Sequence, residues 1–137
     1  MYKIISYNYN ESLINSMYNC FLEEFDEIKQ NKNIFSYLLT NNNTIYGIFS
    51  YKYQTDKIDI VLFKTINILE YYTENFIYTI FSNIILEFDY VYINKNKINP
   101  KFIILGELYN YNLIEENDKL LLYKKKHRYN YFNCLFY

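Results

Sequence analysis

The sequence of 137 residues has two glycines, one proline and no tryptophan. With Gly47 and Gly106 far apart, no glycine-rich loop that cradles a phosphate can be written anywhere along it. The two cysteines, Cys20 and Cys134, stand near opposite ends, and the single histidine, His127, lies in a basic run. Neither has the spacing of a zinc site or the companions of a Ser-His-Asp arrangement. Cys20 reads as a small buried hydrophobe and His127 as one member of a solvated cluster. A net charge of −1 with 21% charged residues gives no general electrostatic case for nucleic acid. No apolar run reaches the roughly 18–20 residues of a membrane span. No secretory leader precedes the first strand, so both cysteines are expected as free thiols in an intracellular protein.

What fills the chain instead is aromatic: 19 tyrosines and 11 phenylalanines, with Asn, Ile and Lys abundant throughout. Such usage points to AT-rich codons, as in a virus, a parasite or an organelle genome. The length suits one domain, here residues 1–126, followed by a basic and aromatic tail at 127–137.

The most strongly patterned stretch is 73–88, where Phe76, Ile77, Ile80, Phe81, Ile84, Ile85 and Phe88 recur at helical spacing. Thr73 is expected to cap this helix and Glu74 to sit at the positive end of its dipole. Runs of β character flank it at 57–63 and 89–94, which makes a strand, helix, strand unit with parallel strands. Upstream, residues 1–7 read as a short strand. Leu13, Ile14, Met17, Tyr18, Phe21, Phe25 and Ile28 mark a further amphipathic helix, with Glu23, Glu24, Asp26 and Glu27 as a solvated face. Residues 34–39 and 44–53 form a hairpin around Asn41, Asn42 and Asn43, which tolerate left-handed turn conformations. Downstream, Asn99 and Pro100 suit the cap and first position of a short helix at 102–109, weakened by Gly106, with a strand as the alternative. Residues 113–114 and 120–123 close the domain as a hairpin.

The order β-α-β-β-β-α-β-α-β-β resembles the GNAT family of acyl-CoA N-acetyltransferases, over about residues 2–126. TIYGIFS at 44–50 is similar to the family's second long strand. Residues 89–94 followed by Asn99 resemble the strand after the central helix and the Asn that begins the next helix. Tyr109 to Ile114 has the spacing of the family's Tyr-x-x-x-Gly-Phe segment. The resemblance implies a mixed, mainly antiparallel sheet with helices on both faces. It also implies an acetyl-CoA site in which the backbone at Val61, Leu62, Phe63 and Lys64 holds the pantetheine arm, and Tyr109 protonates the departing thiolate.

The family's Gln/Arg-x-x-Gly-x-Gly/Ala loop is missing, because residues 63–74 contain no glycine. Glu70 and Glu74 would face the CoA phosphates with like charge, and Tyr71 and Tyr72 would fill the space the backbone needs. The leading expectation is therefore a catalytically degenerate member of the fold without a cofactor, kept as a protein-binding subunit of a larger assembly. Its partner surface would be the tyrosine-rich face and the end of the chain: Lys124, Lys125, Lys126, Arg128, Tyr129, Tyr131, Phe132, Phe136 and Tyr137. The alternative is an active acetyl-CoA-dependent N-acetyltransferase with a divergent loop. A second resemblance, in residues 56–65, 88–91 and 121–125, is to the small OB-fold subunit shared by nuclear RNA polymerases.

Overall fold

A computed structural model describes residues 1–6, 21, 23, 33–42, 44–94, 99–114 and, as backbone, 115, 116 and 119–124. Its strands are β1 (Lys3–Ser6), β2 (Phe35–Asn41), β3 (Thr44–Gln54), β4 (Lys57–Thr65), β5 (Tyr90–Asn94), β6 (Tyr111–Glu116) and β7 (Lys119–Lys124). Helix α1 spans Glu70–Asn83, a 3-10 turn Ile85–Glu87, and helix α2 Lys101–Leu108. The strands form one seven-stranded sheet in the order β1-β2-β3-β4-β5-β7-β6. Among the described residues only β4 and β5 pair in parallel, with α1 as the connection between them. An open sheet with that crossover is incompatible with an OB barrel, so the polymerase-subunit resemblance does not hold.

The first strands follow their turn chemistry. Asn42 takes φ 51° in the β2–β3 turn, a conformation Asn reaches at little cost. Alternation along β2, β3 and β4 then gives the sheet two apolar faces. On one, Phe49, Tyr51, Ile58, Ile60, Phe63, Val91 and Ile93 pack under Phe76, Ile77, Ile80 and Phe81 of α1 and Phe102 of α2. The other carries Leu38, Ile45, Ile48 and Leu62 around the buried Phe21. The helix expected near residues 13–28 otherwise lies outside the described residues. Burying the four core side chains of α1 gains roughly 1.5–3 kcal/mol each before ordering costs are subtracted.

Helix α1 starts one turn earlier than its sequence signal. Leu69, extended at φ −64° and ψ 144°, precedes the first helical residue, and Thr73 is buried inside the helix. The Thr73 hydroxyl donates to Thr65 Oγ1 at 3.2 Å rather than capping the first turn. The hydroxyl is needed as a tie to β4, which is why a cap-like residue sits in the interior. The helix also ends sooner than expected, and Phe88 lies beyond the 3-10 turn. Tyr111 fastens this end: its buried hydroxyl donates to Phe88 O at 2.7 Å and to Ile85 O at 3.2 Å. Asn99 does begin α2, its Oδ1 accepting from the Lys101 N–H at 3.0 Å.

Candidate functional site

The centre of the sheet is a fork. Among the described residues, pairing of β4 with β5 runs from Lys57–Tyr90 to Ile60–Ile93, while β4 continues to Thr65. At that point β4 carries a bulge: Tyr51 pairs with Ile60 and Ser50 with Leu62, leaving Val61 as the extra residue. The bulge exchanges the faces of the strand. Ile58 and Ile60 belong to the helix-side core, Val61 and Leu62 to the opposite one, and Phe63 again to the helix side. A bulge of this kind aims backbone groups out of the ladder, here at the crotch of the fork. Phe63 and Phe102, edge to face at 5.0 Å, give its helix side an apolar floor.

Above the fork stands the start of α1. The Ile66 N–H donates to Tyr46 O, and Asn67 then takes φ 53°, so the chain turns into the helix without a glycine. The N–H groups of Tyr72 and Thr73 return to Leu69 O. Among the described residues no backbone carbonyl accepts from the N–H groups between Asn67 and Tyr71. Such free donors at a helix N-terminus favour an anion. Tyr71 is 65% exposed, and Tyr72 packs on Tyr2, just before β1, at 4.3 Å between ring centres. Glu70 and Glu74 are present as expected, but Lys101 of α2 answers both. Its ammonium hydrogen-bonds Glu74 and lies 3.8 Å from Glu70 Oε1. The Glu74 carboxylate, in turn, raises the lysine's pKa.

Of the residues marked from the sequence, Val61, Leu62, Phe63 and Lys64 run along β4 from the bulge upward, and of them Phe63 faces the first half of α1. Phe63 meets Phe76 at 5.5 Å, while Lys64 Nζ lies 5.7 Å from the Phe21 ring centre on the opposite face. Tyr109 packs on the second half of α1: its ring stacks on Phe81 at 5.5 Å and its hydroxyl bonds that of Tyr78, which raises its pKa. Asn110 follows with φ 67° and begins the turn into β6. Lys124 ends β7; the side chain of Lys124 and residues 125–137 lie outside the described residues. Two participants escaped sequence reading, Lys101 and Asn67. An Asn just past a strand and a Lys just past Pro100 are weak signals alone.

Among the described residues no group of three or more His, Cys, Asp or Glu could hold a metal ion, and no helix is long and apolar enough to cross a membrane.

No family model matches the sequence. No curated protein is significantly similar to it. Solved structures, in contrast, match over nearly the whole chain. Aminoglycoside 6'-acetyltransferase type Ii superposes with a TM-score of 0.61 at 10% identity, over 90% of this chain and 96% of that one. A GNAT family acetyltransferase from Elizabethkingia anophelis, with acetyl-CoA bound, gives 0.55 at 12% identity, over 90% and 97%. The Campylobacter jejuni N-acetyltransferase PseH in complex with acetyl coenzyme A gives 0.51 at 15% identity, over 92% and 99%.

Proposed function

With a GNAT acetyltransferase fold as the frame, we propose that the chain binds acetyl-CoA in the fork between β4 and β5 and transfers the acetyl group to an amine. The observation that carries this reading is the end of β4–β5 pairing at Ile60–Ile93, beside the bulge at Val61. An opening at that place accepts an extended arm as a substitute for the missing strand, with the backbone of Val61 to Lys64 as its ladder partner. The free amides from Asn67 to Tyr71 receive the pyrophosphate, and Lys101 offsets the carboxylates of Glu70 and Glu74. Asn67 supplies the left-handed turn for which the family uses glycine. Bound acetyl-CoA supplies a thioester whose C–S bond breaks as the amine's C–N bond forms; the amine loses a proton and the thiolate gains one.

For the acid we infer an alignment different from the one the resemblance implies. In a Tyr-x-x-x-Gly-Phe segment the glycine is the natural left-handed residue, and here that conformation falls on Asn110, with Tyr111 in the Phe position. Counting back four residues places Gly106, not Tyr109, at the tyrosine. The chain then has no side-chain acid at this position, and solvent protonates the thiolate.

A second reading, a degenerate binding subunit of a larger assembly, is favoured by that Gly106 and by the glycine-free loop. Isothermal titration with acetyl-CoA, paired with thermal melts, decides between them. Micromolar binding and an upward shift support the enzyme. Replacing Glu70 and Glu74 with Gln then tightens binding about two- to fivefold at low salt, the scale of a charge at a helix terminus. No heat and no shift in a folded sample reject cofactor binding and leave the assembly reading, under which removal of residues 128–137 abolishes association without unfolding the domain.

A further inference from the structure

At the end of the sheet away from the fork, the helix-side core comes to the surface. Phe35 at the start of β2 and Tyr53 near the end of β3 are 49% and 52% exposed. Their rings lie 5.5 Å apart, and both pack on the buried Tyr51, at 5.8 and 6.3 Å. Tyr53 also meets the buried Phe88 at 5.7 Å. Beside these rings the chain is acidic. The N–H groups of Asp89 and Tyr90 donate to Asp56 O at 3.0 and 3.1 Å, which sets Asp56 next to Asp89. Burial raises the Tyr51 pKa, and the Glu87 carboxylate is near enough to add to the effect. Lys52 and Lys57 alternate onto the other face of the sheet.

Strand β7 finishes at this same edge, since Tyr123 pairs with Tyr90, Tyr90 with Lys57, and Lys57 with Gln54. The sequence then continues with Lys125, Lys126, His127 and Arg128, followed by Tyr129, Tyr131 and Phe132. We infer that residues 125–137 fold back across the end of their own domain, the basic run along Asp56, Glu87 and Asp89 and the aromatic residues on Tyr53 and Phe35. Going from β7 towards β2, the surface offers carboxylates first and rings second, and the segment offers cations first and rings second. The lengths also agree. Three strand spacings separate β7 from β3, roughly 14 Å, and a fourth reaches β2 at roughly 19 Å. Extended chain covers about 3.3 Å per residue, so Tyr129 reaches Tyr53, and Tyr131 and Phe132 reach Phe35. The stretch between β1 and β2 leaves from this edge too, Ser6 pairing with Tyr37. It is fastened to the opposite face, where Phe21 is buried with Leu38, Ile48 and Leu62. The inference does not depend on acetyl-CoA binding.

Trypsin cleavage of the full chain within residues 125–128 tests it. The parent should be cut about tenfold or more slowly than a Phe35→Ser/Tyr53→Ser variant, at a rate independent of protein concentration. An Ile104→Ser/Leu108→Ser variant, altered at two residues of α2 that are exposed at least as much, should be cut like the parent. Glu87→Gln, at an exposed position, should speed the cut about threefold at low salt and have no effect at high salt; it carries the test alone if the ring variant does not fold. Equal rates in the parent and the ring variant overturn the inference, and so does equal acceleration by the α2 pair. Protection that grows with protein concentration overturns it as well, and assigns the rings to a second copy of the chain.

Discussion

Replacing Gly47 with Ala probes how closely α1 is held to the sheet. A methyl group there would stand 3.0 Å from Phe76 Cε2, 3.1 Å from Thr65 Cγ2 and 3.2 Å from Leu39 Cβ. None of the three neighbours yields easily. Phe76 is buried, Thr65 is tied to Thr73 through its hydroxyl, and Leu39 lies within β2. The relief available is a displacement of α1 by several tenths of an ångström away from β3. Overpacking of this kind costs about 1–3 kcal/mol, reduced by the ~0.4–1 kcal/mol that alanine gains through the unfolded chain. For a domain of this size the melting temperature falls by roughly 3–10 °C. Denaturant titration should show the midpoint reduced with an unchanged slope, and acetyl-CoA affinity should fall because the first turn of α1 moves with Phe76. Adding Phe76→Leu to the alanine variant should recover part of the loss, a coupling of about 0.5–3 kcal/mol in a double-mutant cycle. An alanine variant as stable as the parent, or strictly additive double-mutant energies, would refute the close approach.

Three further outcomes are expected. Tyr111→Phe removes the hydroxyl that serves Phe88 O and Ile85 O, and chemical denaturation should show a loss of about 1–2 kcal/mol; no loss would mean those carbonyls have other donors. Burial pushes the Tyr51 phenol up to about 12, so the folded state holds that proton more tightly than the unfolded one. Its contribution is complete below about pH 10 and is lost as pH rises towards 12, and alkaline melts of Tyr51→Phe should show a weaker decline over that window than the parent. Asn67→Val should cost about 1–2 kcal/mol, since a β-branched residue resists φ 53°, whereas Asn67→Gly should be nearly neutral; equal stability of the two variants would show that the turn relaxes.

The strand meander, the Asn-rich hairpin, the crossover helix and the closing hairpin were all legible, because alternation, helical spacing and turn residues agreed at each. The helix start was misread at Thr73, since a threonine before a glutamate looks like a cap whether or not its hydroxyl faces a neighbouring strand. The polymerase resemblance rested on short β segments that any sheet shares. The fork is a relation between distant strands and leaves no local mark. The bulge did leave one: four successive apolar residues, Ile60 to Phe63, interrupt an otherwise alternating strand. Blocking by Tyr71 and Tyr72 is an expectation from side-chain size; the contact of Tyr72 with Tyr2, between residues 70 positions apart, left no mark in the sequence. The sequence spacing sets Tyr109 at the tyrosine of the segment, whereas the alignment proposed above follows the left-handed backbone at Asn110.

The bulge at Val61 makes β4 a strand whose parity changes partway along. Up to Ile60, even-numbered residues face the helices; from Phe63 onward odd-numbered ones do. Deleting one residue at 61 or 62 would restore a regular ladder and leave the polypeptide one residue shorter. Ile58, Ile60, Phe63 and Thr65 would all stay on the helix side, because strict alternation would then run through the whole strand. The extra residue is therefore a device of the backbone, one that re-aims peptide groups at the fork without changing which side chains fill the core. When a relative without the bulge is aligned, a one-residue gap belongs here, and leaving it out would assign every side chain on one arm of the fork to the wrong face.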